Sequence, residues 1–375
     1  MRFLYVAPRY HTNQVPIIRG LKRKGHEVCF LSQYAGKVED YSDLTPTVIG
    51  YSRIFLFFDR VYMALMKNRD AYAGDRKMKC GFPPIGKLKR AIRDSHGNVA
   101  ILRERSVYSI CAYLLCKKYK IPAILYNQSP LWEDCIKNDP AHLLTPTVRM
   151  TPVMGVQDGR KVKEPGAVFV PFVMEPEQKA KEKRWIKDGI THIFSIGKYE
   201  ERKNHRMLVE IVEELSAVSK IHLTIAGERT TSAHQAYYDR LAAYIDDHGL
   251  QDKVTLLANL NRQQVAEQYR NADLFVIPST REPASISQLE AMAFSLPVVC
   301  GDKNGTACYV ENGVNGWQFR DNRKASLKEV LDKMVGSPEQ LQKMGQESYR
   351  LIQEKYQIEN YLEGIKELLK KLGKE

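Results

Sequence analysis

Short apolar runs rich in β-branched and aromatic residues alternate along the chain with longer stretches of helical periodicity. This alternation is typical of strand–helix–strand units that build parallel sheets. In the first half, the pattern predicts strands at residues 3–7, 27–31, 99–102 and 123–126 and a helix at about 15–24. In the second half, it predicts strands at residues 192–196, 222–226, 254–258, 274–278 and 297–300. The alternation therefore predicts an α/β protein with doubly wound parallel sheets.

The length of 375 residues, 43% of them hydrophobic, exceeds what a single core usually supports, which predicts two domains. We place an N-terminal domain at residues 1–170 and a C-terminal domain at 171–355, with a charged hinge and linker at 177–188. Residues 355–375 have helical apolar spacing and are predicted to form one terminal helix. Its main part, residues 356–375, is expected to pack back towards the N-terminal domain.

The cellular compartment is predicted from three features that are missing from the sequence, namely a membrane-spanning segment, a secretory signal and paired cysteines. The longest nearly apolar stretch, residues 54–66, is shorter than the roughly 20 residues needed to cross a bilayer. Neither a transmembrane helix nor a secretory signal is expected. The seven cysteines are scattered without a Cys-x-x-Cys pair, which argues against a disulfide framework and a zinc site and favours the cytoplasm. Because no Asp-x-Asp motif occurs, we expect neither a metal nor another cofactor.

The net charge of +13 comes from the first half, where residues 1–170 hold 28 Lys and Arg against 14 Asp and Glu. A one-sided basic field attracts an anionic surface or polymer, and anionic lipid or nucleic acid would both satisfy it. Residues 53–69 mix aromatic and basic side chains, and seven cations follow, namely Arg76, Lys77, Lys79, Lys87, Lys89, Arg90 and Arg93. We interpret region 53–93 as a patch that rests on anionic lipid, the alternative being an ordinary amphipathic core helix.

Ligands of open parallel sheets bind beyond the carboxyl ends of the strands, so the residues that follow each strand are the first to inspect. After the predicted strand that ends at Ile196, a turn carries Lys198 and Lys203 and leads into a helix. Two cations together with helix N-terminal amides would bind a diphosphate. A solvated Lys-rich loop is the alternative.

Two carboxylates follow the predicted strand that ends at Pro278. Glu282 lies before the next predicted helix and Glu290 about a turn inside it, so they can accept from hydroxyls at opposite ends of an elongated ligand. Ser285 or Ser287 is expected to cap this helix. The alternative for Glu290 is a buried helix carboxylate paired with a cation.

Together these segments resemble the retaining glycosyltransferase family 4, which has the GT-B fold. The resemblance rests on the Glu-x7-Glu spacing of Glu282 and Glu290, on the Pro-Ser-x-x-Glu-Pro and Leu-Glu-Ala-Met-Ala around them, and on Gly197, Lys198 and Lys203. It implies two Rossmann-like doubly wound parallel-sheet domains that face each other across a cleft. It also implies that Lys198 and Lys203 contact the donor diphosphate, Glu290 the ribose and Glu282 the transferred sugar. On this basis Glu282, Lys203 and Lys198 are the catalytic candidates.

The resemblance extends to other donor-side residues and departs from the family at several places. The further donor-binding candidates are Gly197, Gly227, Asn259, Leu260, Ser285, Ile286 and Ser287. Lys198 stands where many members have arginine, which keeps the charge but loses the planar fork. Ala284 and Ser285 stand where Phe-Gly is usual, and residues 8–13 lack the glycine pair usual in the first strand–helix loop.

Acceptor candidates follow the predicted N-terminal strands, and they are His11, Asn13, Arg103, Arg105 and Gln128. The histidines that the family often has after the strands ending at Leu102 and Tyr126 are absent. A histidine contact is therefore not carried over to those positions, and His11 is the alternative.

The function implied by the resemblance is transfer of a sugar from a nucleotide diphosphate sugar to a glycan or lipid-linked acceptor, with retention of configuration. UDP is favoured by family frequency, and surface polysaccharide or cell-envelope synthesis is the expected setting. The expected partners are the nucleotide sugar, the acceptor and an anionic membrane surface at the inner face, but not nucleic acid. Two rivals are a GT-B nucleotide-sugar 2-epimerase and a non-enzymatic basic protein that binds membrane or nucleic acid.

Overall fold

The computed structural model describes residues 1–36, 40–66, 73–128, 144–145, 147–157, 160–163 and 166–373. Residues 67–72 of the predicted membrane-binding region, and one of the seven cysteines, Cys135, lie outside the described residues. The chain forms two compact units. Unit 1 comprises Met1–Pro152, Glu164–Val173 and Ile358–Glu375, and unit 2 comprises Val153–Lys163 and Met174–Gln357.

Unit 1 is built on a parallel sheet whose order is β3-β2-β1-β4-β5-β6-β9. Its strands are β1 (Arg2–Ala7), β2 (Glu27–Ser32), β3 (Thr47–Val48), β4 (Val99–Arg103), β5 (Ala123–Tyr126), β6 (Arg149–Thr151) and β9 (Ala167–Phe169). Its helices are α1 (Val15–Arg23), α2 (Arg53–Leu65), α3 (Ala73–Cys80), α4 (Ile85–Asp94), α5 (Val107–Lys118) and α12 (Ile358–Lys371).

The central strand β1 shows why this sheet is covered on both faces. Successive side chains of a strand point to opposite faces. Phe3 and Tyr5 accordingly enter one core with α1 and α12, whereas Leu4 and Val6 enter another with α4 and α5. A run that is apolar at every position is therefore a strand buried on both sides, as in doubly wound folds.

The C-terminal segment forms the predicted terminal helix, but over narrower bounds than residues 355–375. One helix ends at Lys355, and α12 begins at Ile358. Ile358, Ile365 and Leu368 of α12 are buried in the same core as Phe3, and the Tyr361 hydroxyl lies 2.8 Å from that of Tyr5. The predicted start was three residues early because Tyr356 is also apolar and fits the helical spacing.

Unit 2 contains a second parallel sheet, with the order β12-β11-β10-β13-β14-β15. Its strands are β10 (Thr191–Ile196), β11 (Ile221–Gly227), β12 (Val254–Ala258), β13 (Leu274–Ile277), β14 (Val298–Gly301) and β15 (Gly316–Phe319), and a separate antiparallel pair joins β7 (Gly155–Gln157) to β8 (Arg160–Val162). Its helices are α6 (His205–Leu215), α7 (Ser232–Asp247), α8 (Arg262–Asn271), α9 (Ile286–Ala293), α10 (Lys324–Met334) and α11 (Pro338–Lys355). This strand order is that of a Rossmann fold, with the direction of winding reversed between β10 and β13.

The predicted fold class is confirmed for both units, with strand boundaries within one residue. The strands that sequence reasoning missed have two to four residues, namely β3, β6, β7, β8, β9 and β15. In β15, a Cβ on Gly316 would lie 1.9 Å from the carbonyl oxygen of Val298. Only glycine fits at this position, where the backbone of β15 lies close to that of β14. Glycine is also unfavourable in strands, which is why the sequence pattern did not predict β15.

Among the described residues, no helix combines the length and the apolar character needed to cross a membrane.

Candidate functional site

Two loops of unit 2 meet at the point where the winding of the sheet reverses. The loop after β10 carries residues 197–204, and the loop after β13 carries residues 278–285. Because β10 and β13 are adjacent parallel strands, both loops leave the same edge of the sheet. The Thr280 amide donates to the Arg202 carbonyl at 2.9 Å, and Asn204 Nδ2 donates to Thr280 Oγ1 at 2.7 Å. These bonds join the two loops at the usual ligand position of such a sheet.

Two glycines allow the first loop to fold tightly. A Cβ on Gly227, at the end of β11, would lie 2.4 Å from the Gly197 carbonyl oxygen and 2.8 Å from the Tyr199 ring. A Cβ on Gly197 would lie 3.0 Å from Cδ of Lys203. Close packing at Gly197 therefore seats the methylene chain of Lys203 over the end of β10.

The backbone of this loop is also held by His205, the first residue of α6. Its Nε2 lies 3.2 Å from the Lys198 carbonyl oxygen and 3.4 Å from that of Gly197. Burial lowers the pKa of His205 to about 4, so the ring is neutral near pH 7. Because both partners are carbonyl oxygens, Nε2 is assigned as the protonated nitrogen.

Glu282 is the centre of the site. It is only 6% exposed, and its Oε2 accepts from Lys203 Nζ at 2.5 Å and from Arg202 Nη1 at 2.9 Å. Burial alone would raise the pKa of this carboxyl group, but the two cations outweigh burial and hold the pKa below its usual range. The site thus contains a buried carboxylate shared by two cations, one of which is itself largely buried.

Arg202 is the residue that sequence reasoning missed. Besides Glu282, it contacts Oε1 of Glu200 through Nη2 at 3.0 Å. Arg202 and Lys203 both lie in the short 3-10 turn Glu201–Lys203, and both side chains point towards the loop of residues 278–285. The sequence showed that Arg202 is adjacent to Lys203. It could not show where either side chain points, because neighbouring cations in a turn carry no local signal for their direction.

Lys198 is placed differently from Lys203. It is exposed, and its Nζ lies 3.5 Å from Oε2 of Glu228, directly after β11. Glu228 also accepts from the Thr230 hydroxyl at 2.6 Å, which lowers the pKa of its carboxyl group together with Lys198. The structure therefore brings Lys203, but not Lys198, into contact with Glu282.

The start of α9 differs from the predicted capping arrangement. Ser285 occupies the N-cap position, but its side chain makes no bond to a helix amide. Its hydroxyl lies 2.9 Å from the Ser287 hydroxyl instead, and its own amide donates to Thr306 Oγ1 at 3.2 Å. The prediction of a serine cap is therefore wrong, because the two hydroxyls satisfy each other. The first amides of α9, including those of Ile286 and Ser287, have no acceptor within the helix and can serve an anion.

Glu290 lies inside α9 and is half-buried. The Tyr269 hydroxyl is 3.1 Å from its Oε2 and 3.1 Å from the Ser287 carbonyl oxygen. Burial raises the pKa of Glu290, although the bond from Tyr269 acts in the opposite direction. The positive charge of Arg262 also lowers this pKa, so the interpretation of Glu290 as a buried helix carboxylate beside a cation keeps its support.

Asn259 and Leu260 follow β12 at the same edge of the sheet. Asn259 has a left-handed backbone with φ of 55°, and its side chain accepts from the Arg229 amide at 2.8 Å and donates to the Arg229 carbonyl at 3.2 Å. Leu260 is half-buried beside it. The predicted donor-side residues therefore lie at the carboxyl end of β11, on the loops after β10, β12 and β13, and in α9.

The predicted acceptor residues lie at the carboxyl end of β4 or follow β1, β4 and β5 of unit 1. Arg103 Nη1 donates to Gln128 Oε1 at 2.7 Å, while Arg9 Nε donates to His11 Nε2 at 3.1 Å. Burial, Arg9 and Arg103 together lower the pKa of His11 to about 3. Asn13 lies in a 3-10 turn beyond His11, and Arg105 has a left-handed backbone with φ of 71°. His11 and Arg103 line one cavity, whereas Asn13, Arg105 and Gln128 are not among its lining residues.

Comparison with known proteins identifies the class to which this architecture belongs. A glycosyltransferase from Rickettsia africae superposes with a TM-score of 0.70 at 13% identity, over 99% of this chain and 98% of that chain. HepE from Anabaena in complex with UDP-glucose superposes with a TM-score of 0.68 at 11% identity, over 98% of each chain. The chain therefore has the GT-B fold of these enzymes.

Sequence similarity is concentrated in the half that carries the Glu282 site. Residues 176–351 match the family described as Glycosyl transferases group 1. The D-inositol 3-phosphate glycosyltransferase of Nocardia farcinica is 25% identical over 192 residues, which are 50% of this chain and 42% of that relative. The matched part of the chain thus spans about two fifths of that relative's length. Membership of family 4 in particular stays a prediction.

Proposed function

We propose that the chain is a glycosyltransferase that moves a sugar from a nucleotide diphosphate donor, bound by unit 2, to a glycan or lipid-linked acceptor. The observation that carries the proposal is the contact of Lys203 and Arg202 with Glu282 at the reversal point of a Rossmann sheet. Localised positive charge at this position suits a diphosphate. A carboxylate beside it suits the hydroxyl groups of a sugar.

In the proposed reaction, the cations stabilise the charge that grows on the diphosphate as the bond to the sugar breaks. Such preorganised donors are effective because they need no reorientation at the moment of reaction. Lys203 is seated over Gly197 before any ligand binds. The proposed role of Glu282 is to orient the transferred sugar through its hydroxyls. Glu290, with its raised pKa and a phenol beside it, is proposed to accept from the ribose hydroxyls.

We also propose that the anomeric configuration of the sugar is retained, with Glu282 binding the sugar and not attacking its anomeric carbon. A carboxylate that attacks the anomeric carbon must be strongly nucleophilic, but the two cations that contact Oε2 of Glu282 draw negative charge from its carboxylate. Glu282 is therefore suited to binding rather than to nucleophilic attack. Arg202 and Lys203 also supply the positive charge that a divalent ion would otherwise bring, which supports metal-independent catalysis. UDP is the proposed nucleotide, with support from the UDP-glucose complex of the structurally similar HepE.

The function is tested by titration calorimetry with UDP, GDP and ADP, followed by product analysis with the sugar donors of the best ligand. We expect one nucleoside diphosphate to bind, sugar transfer or slow donor hydrolysis to follow, and the rate to be unchanged in EDTA. NMR of the product should show the anomeric configuration of the donor. A free epimerised sugar would instead support a 2-epimerase, and binding of none of the three would remove the proposal.

A peripheral location at an anionic membrane is proposed from the exposed helix α2. Its large apolar side chains face solvent, with exposed fractions of 73% for Ile54, 62% for Phe57, 64% for Phe58 and 77% for Leu65. None of its residues is buried, so the interpretation as a core helix is wrong for this segment. An exposed apolar stripe of this kind marks an interaction surface.

The charges around α2 favour anionic lipid as the partner. Its acidic residue, Asp59, is paired with Arg76 at 2.8 Å, whereas Arg53 and Arg60 are exposed. An amphipathic helix with aromatic and basic side chains can lie in the interface plane of a bilayer. Such a location agrees with synthesis of surface polysaccharide or cell envelope from lipid-linked acceptors.

Vesicle sedimentation tests the membrane proposal. The protein should sediment with vesicles that contain phosphatidylglycerol and much less with pure phosphatidylcholine. The double change Phe57→Ser and Phe58→Ser should weaken binding by a factor on the order of 10² to 10³, because burying each phenyl ring contributes about 2 kcal/mol. Leu114→Ser removes a similarly exposed apolar residue from α5 and serves as the control. Equal sedimentation with both lipids, or an equal loss in both variants, would contradict a lipid-bound α2.

A further inference from the structure

The loop that follows β14, residues 302–306, packs against the loop that carries Glu282. The Gly305 amide donates to the Glu282 carbonyl oxygen at 2.8 Å, and Thr306 Oγ1 accepts from the Ser285 amide at 3.2 Å. In the sheet, β13 lies between β10 and β14. The Glu282 loop is therefore bonded on one side to the loop after β10 and on the other side to the loop after β14.

The backbone beside Glu282 needs support from such bonds. Arg281, which directly precedes Glu282, has a left-handed backbone with φ of 46°, a conformation that is unfavourable for residues other than glycine. Its amide donates to Oδ1 of Asp321 at 3.2 Å. A residue keeps such a conformation only where the surrounding structure fixes it, and such residues cluster at ligand sites. The position of Glu282 therefore depends on contacts from neighbouring loops.

Thr306 is the centre of a buried polar network that links the loop after β14 to α9. Thr306 and Gln288 are fully buried, and Asn304 is 2% exposed. Thr306 Oγ1 lies 2.8 Å from Asn304 Oδ1 and 3.1 Å from Gln288 Oε1, so its single proton can be donated to either amide oxygen. The same hydroxyl oxygen accepts from the Ser285 amide, directly before α9.

The side chains of Gln288 and Asn304 also fix the backbone of Thr306. Gln288 Nε2 donates to the Thr306 carbonyl oxygen at 2.8 Å, and Asn304 Oδ1 accepts from the Thr306 amide at 3.0 Å. Asn304 Nδ2 donates to Gln288 Oε1 at 3.3 Å. Each side-chain nitrogen and oxygen of these three residues therefore has a hydrogen-bond partner. A buried network that is fully satisfied in this way is rigid and specifies one arrangement.

We propose that Thr306 is a positioning residue for the transferred sugar, because it fixes the backbone that carries Glu282 and Ser285. The inference rests on the sugar-binding role proposed for Glu282. The hydrogen bonds of Thr306 run to Ser285, Gln288 and Asn304. Lys203 lies on the loop after β10 instead. Loss of the Thr306 hydroxyl should therefore disturb sugar binding more than diphosphate binding.

Thr306→Val tests the inference, because valine has the shape of threonine but leaves the Ser285 amide without its acceptor. Turnover per UDP-binding site should fall roughly tenfold or more, as it does when a group that positions the substrate is displaced. Calorimetry counts the UDP-binding sites, so unfolded protein does not contribute to this value. Affinity for the UDP-sugar should fall, while affinity for UDP should be unchanged.

Two further variants separate positioning from general stability. Thr306→Ser keeps the hydroxyl and should restore most of the turnover. Thr191→Val is the matched control, because Thr191 is a buried threonine at the start of β10, at the opposite edge of the same sheet, and its Oγ1 accepts from the Gly336 amide at 3.1 Å. It should leave turnover per UDP-binding site unchanged. If Thr306→Val does not fold, Gln288→Met, which removes the amide beside Thr306, should give the same pattern.

Equal turnover per UDP-binding site in Thr306→Val and Thr191→Val would overturn the inference. An equal loss of UDP and UDP-sugar affinity in Thr306→Val would do the same, because it would show a general disturbance of the site. Both results require a parent protein that binds UDP and turns over. A parent protein that does neither would instead remove the proposed function, and the positioning role with it.

Discussion

Replacing Lys203 with alanine should lower turnover by a factor on the order of 10² or more, as removal of a preorganised donor to a developing anion does. Lys203 has its ammonium group 2.5 Å from Oε2 of Glu282, and its side chain is only 15% exposed. Water cannot easily replace a cation at so enclosed a position. Because Arg202 still contacts Glu282, the variant should keep a paired carboxylate and remain folded.

The Lys203→Ala measurement is turnover with the donor identified by calorimetry, alongside circular dichroism to check folding. Lys220→Ala is the matched control, because Lys220 is an exposed lysine that precedes β11 at the opposite edge of the same sheet. Lys203→Arg should restore part of the activity, since the charge is kept and the geometry changes. Near-normal turnover in Lys203→Ala would overturn the assignment of Lys203 to the leaving diphosphate.

Replacing Glu282 with glutamine should lower turnover by about 10² while UDP affinity is kept or increased. Glutamine has the shape of glutamate but lacks the charge that attracts Lys203 and Arg202. Without this neighbouring negative charge both cations attract the diphosphate more strongly, while the acceptor for the sugar hydroxyls is weakened. Loss of a partner from a buried ion pair also destabilises the fold, on the order of 3 kcal/mol, so a saturating nucleotide is needed to stabilise the variant during assay.

Paired titrations with UDP and with the UDP-sugar check the Glu282 prediction, since only the second ligand contains the transferred sugar. Glu200→Gln is a suitable control, because Glu200 is the other carboxylate that contacts Arg202. It should leave turnover within a few-fold of the parent protein. A parallel loss of UDP binding in Glu282→Gln would instead assign Glu282 to the nucleotide.

Comparison of Lys203→Ala with Glu282→Gln tests whether Lys203 binds the diphosphate and Glu282 binds the transferred sugar. Removing a phosphate ligand should affect UDP and UDP-sugar alike, whereas removing a sugar ligand should affect only the second. Lys203 and Glu282 are in direct contact through Nζ and Oε2, so the two variants change neighbouring groups of the same site. A difference between their effects therefore reports on the role of each side chain. General damage to the loop would affect both ligands in both variants.

Much of the fold follows from local sequence patterns. The run of residues 3–7 has apolar side chains at every position, which suits a strand buried on both faces, and the structure places its alternate residues in two different cores. The positions of the donor loops follow likewise, because loops after parallel strands share one edge of a sheet. These features depend on the nearest neighbours along the chain, which the sequence contains.

Other features were decided by tertiary contacts. The contact of Arg202 with Glu282 joins residues 80 positions apart, and a cation in a turn carries no local signal for its direction. Ser285 has the residue type of a cap, but Ser287 and Thr306 take its hydrogen bonds. For α2, local periodicity is the same for a core helix and for an exposed one, so only the packed structure shows that Phe57 and Phe58 face solvent.

The sequence by itself thus determined the two parallel sheets, the loops that carry the candidate chemistry and the basic character of the first half. The tertiary structure alone decided which cations reach Glu282, where α2 points and that Thr306 contacts the backbone of Ser285. The physical reason is the separation along the sequence of the residues that determine each feature. Strand and helix periodicity is set by residues a few positions apart, whereas charge convergence depends on segments that only chain folding brings together.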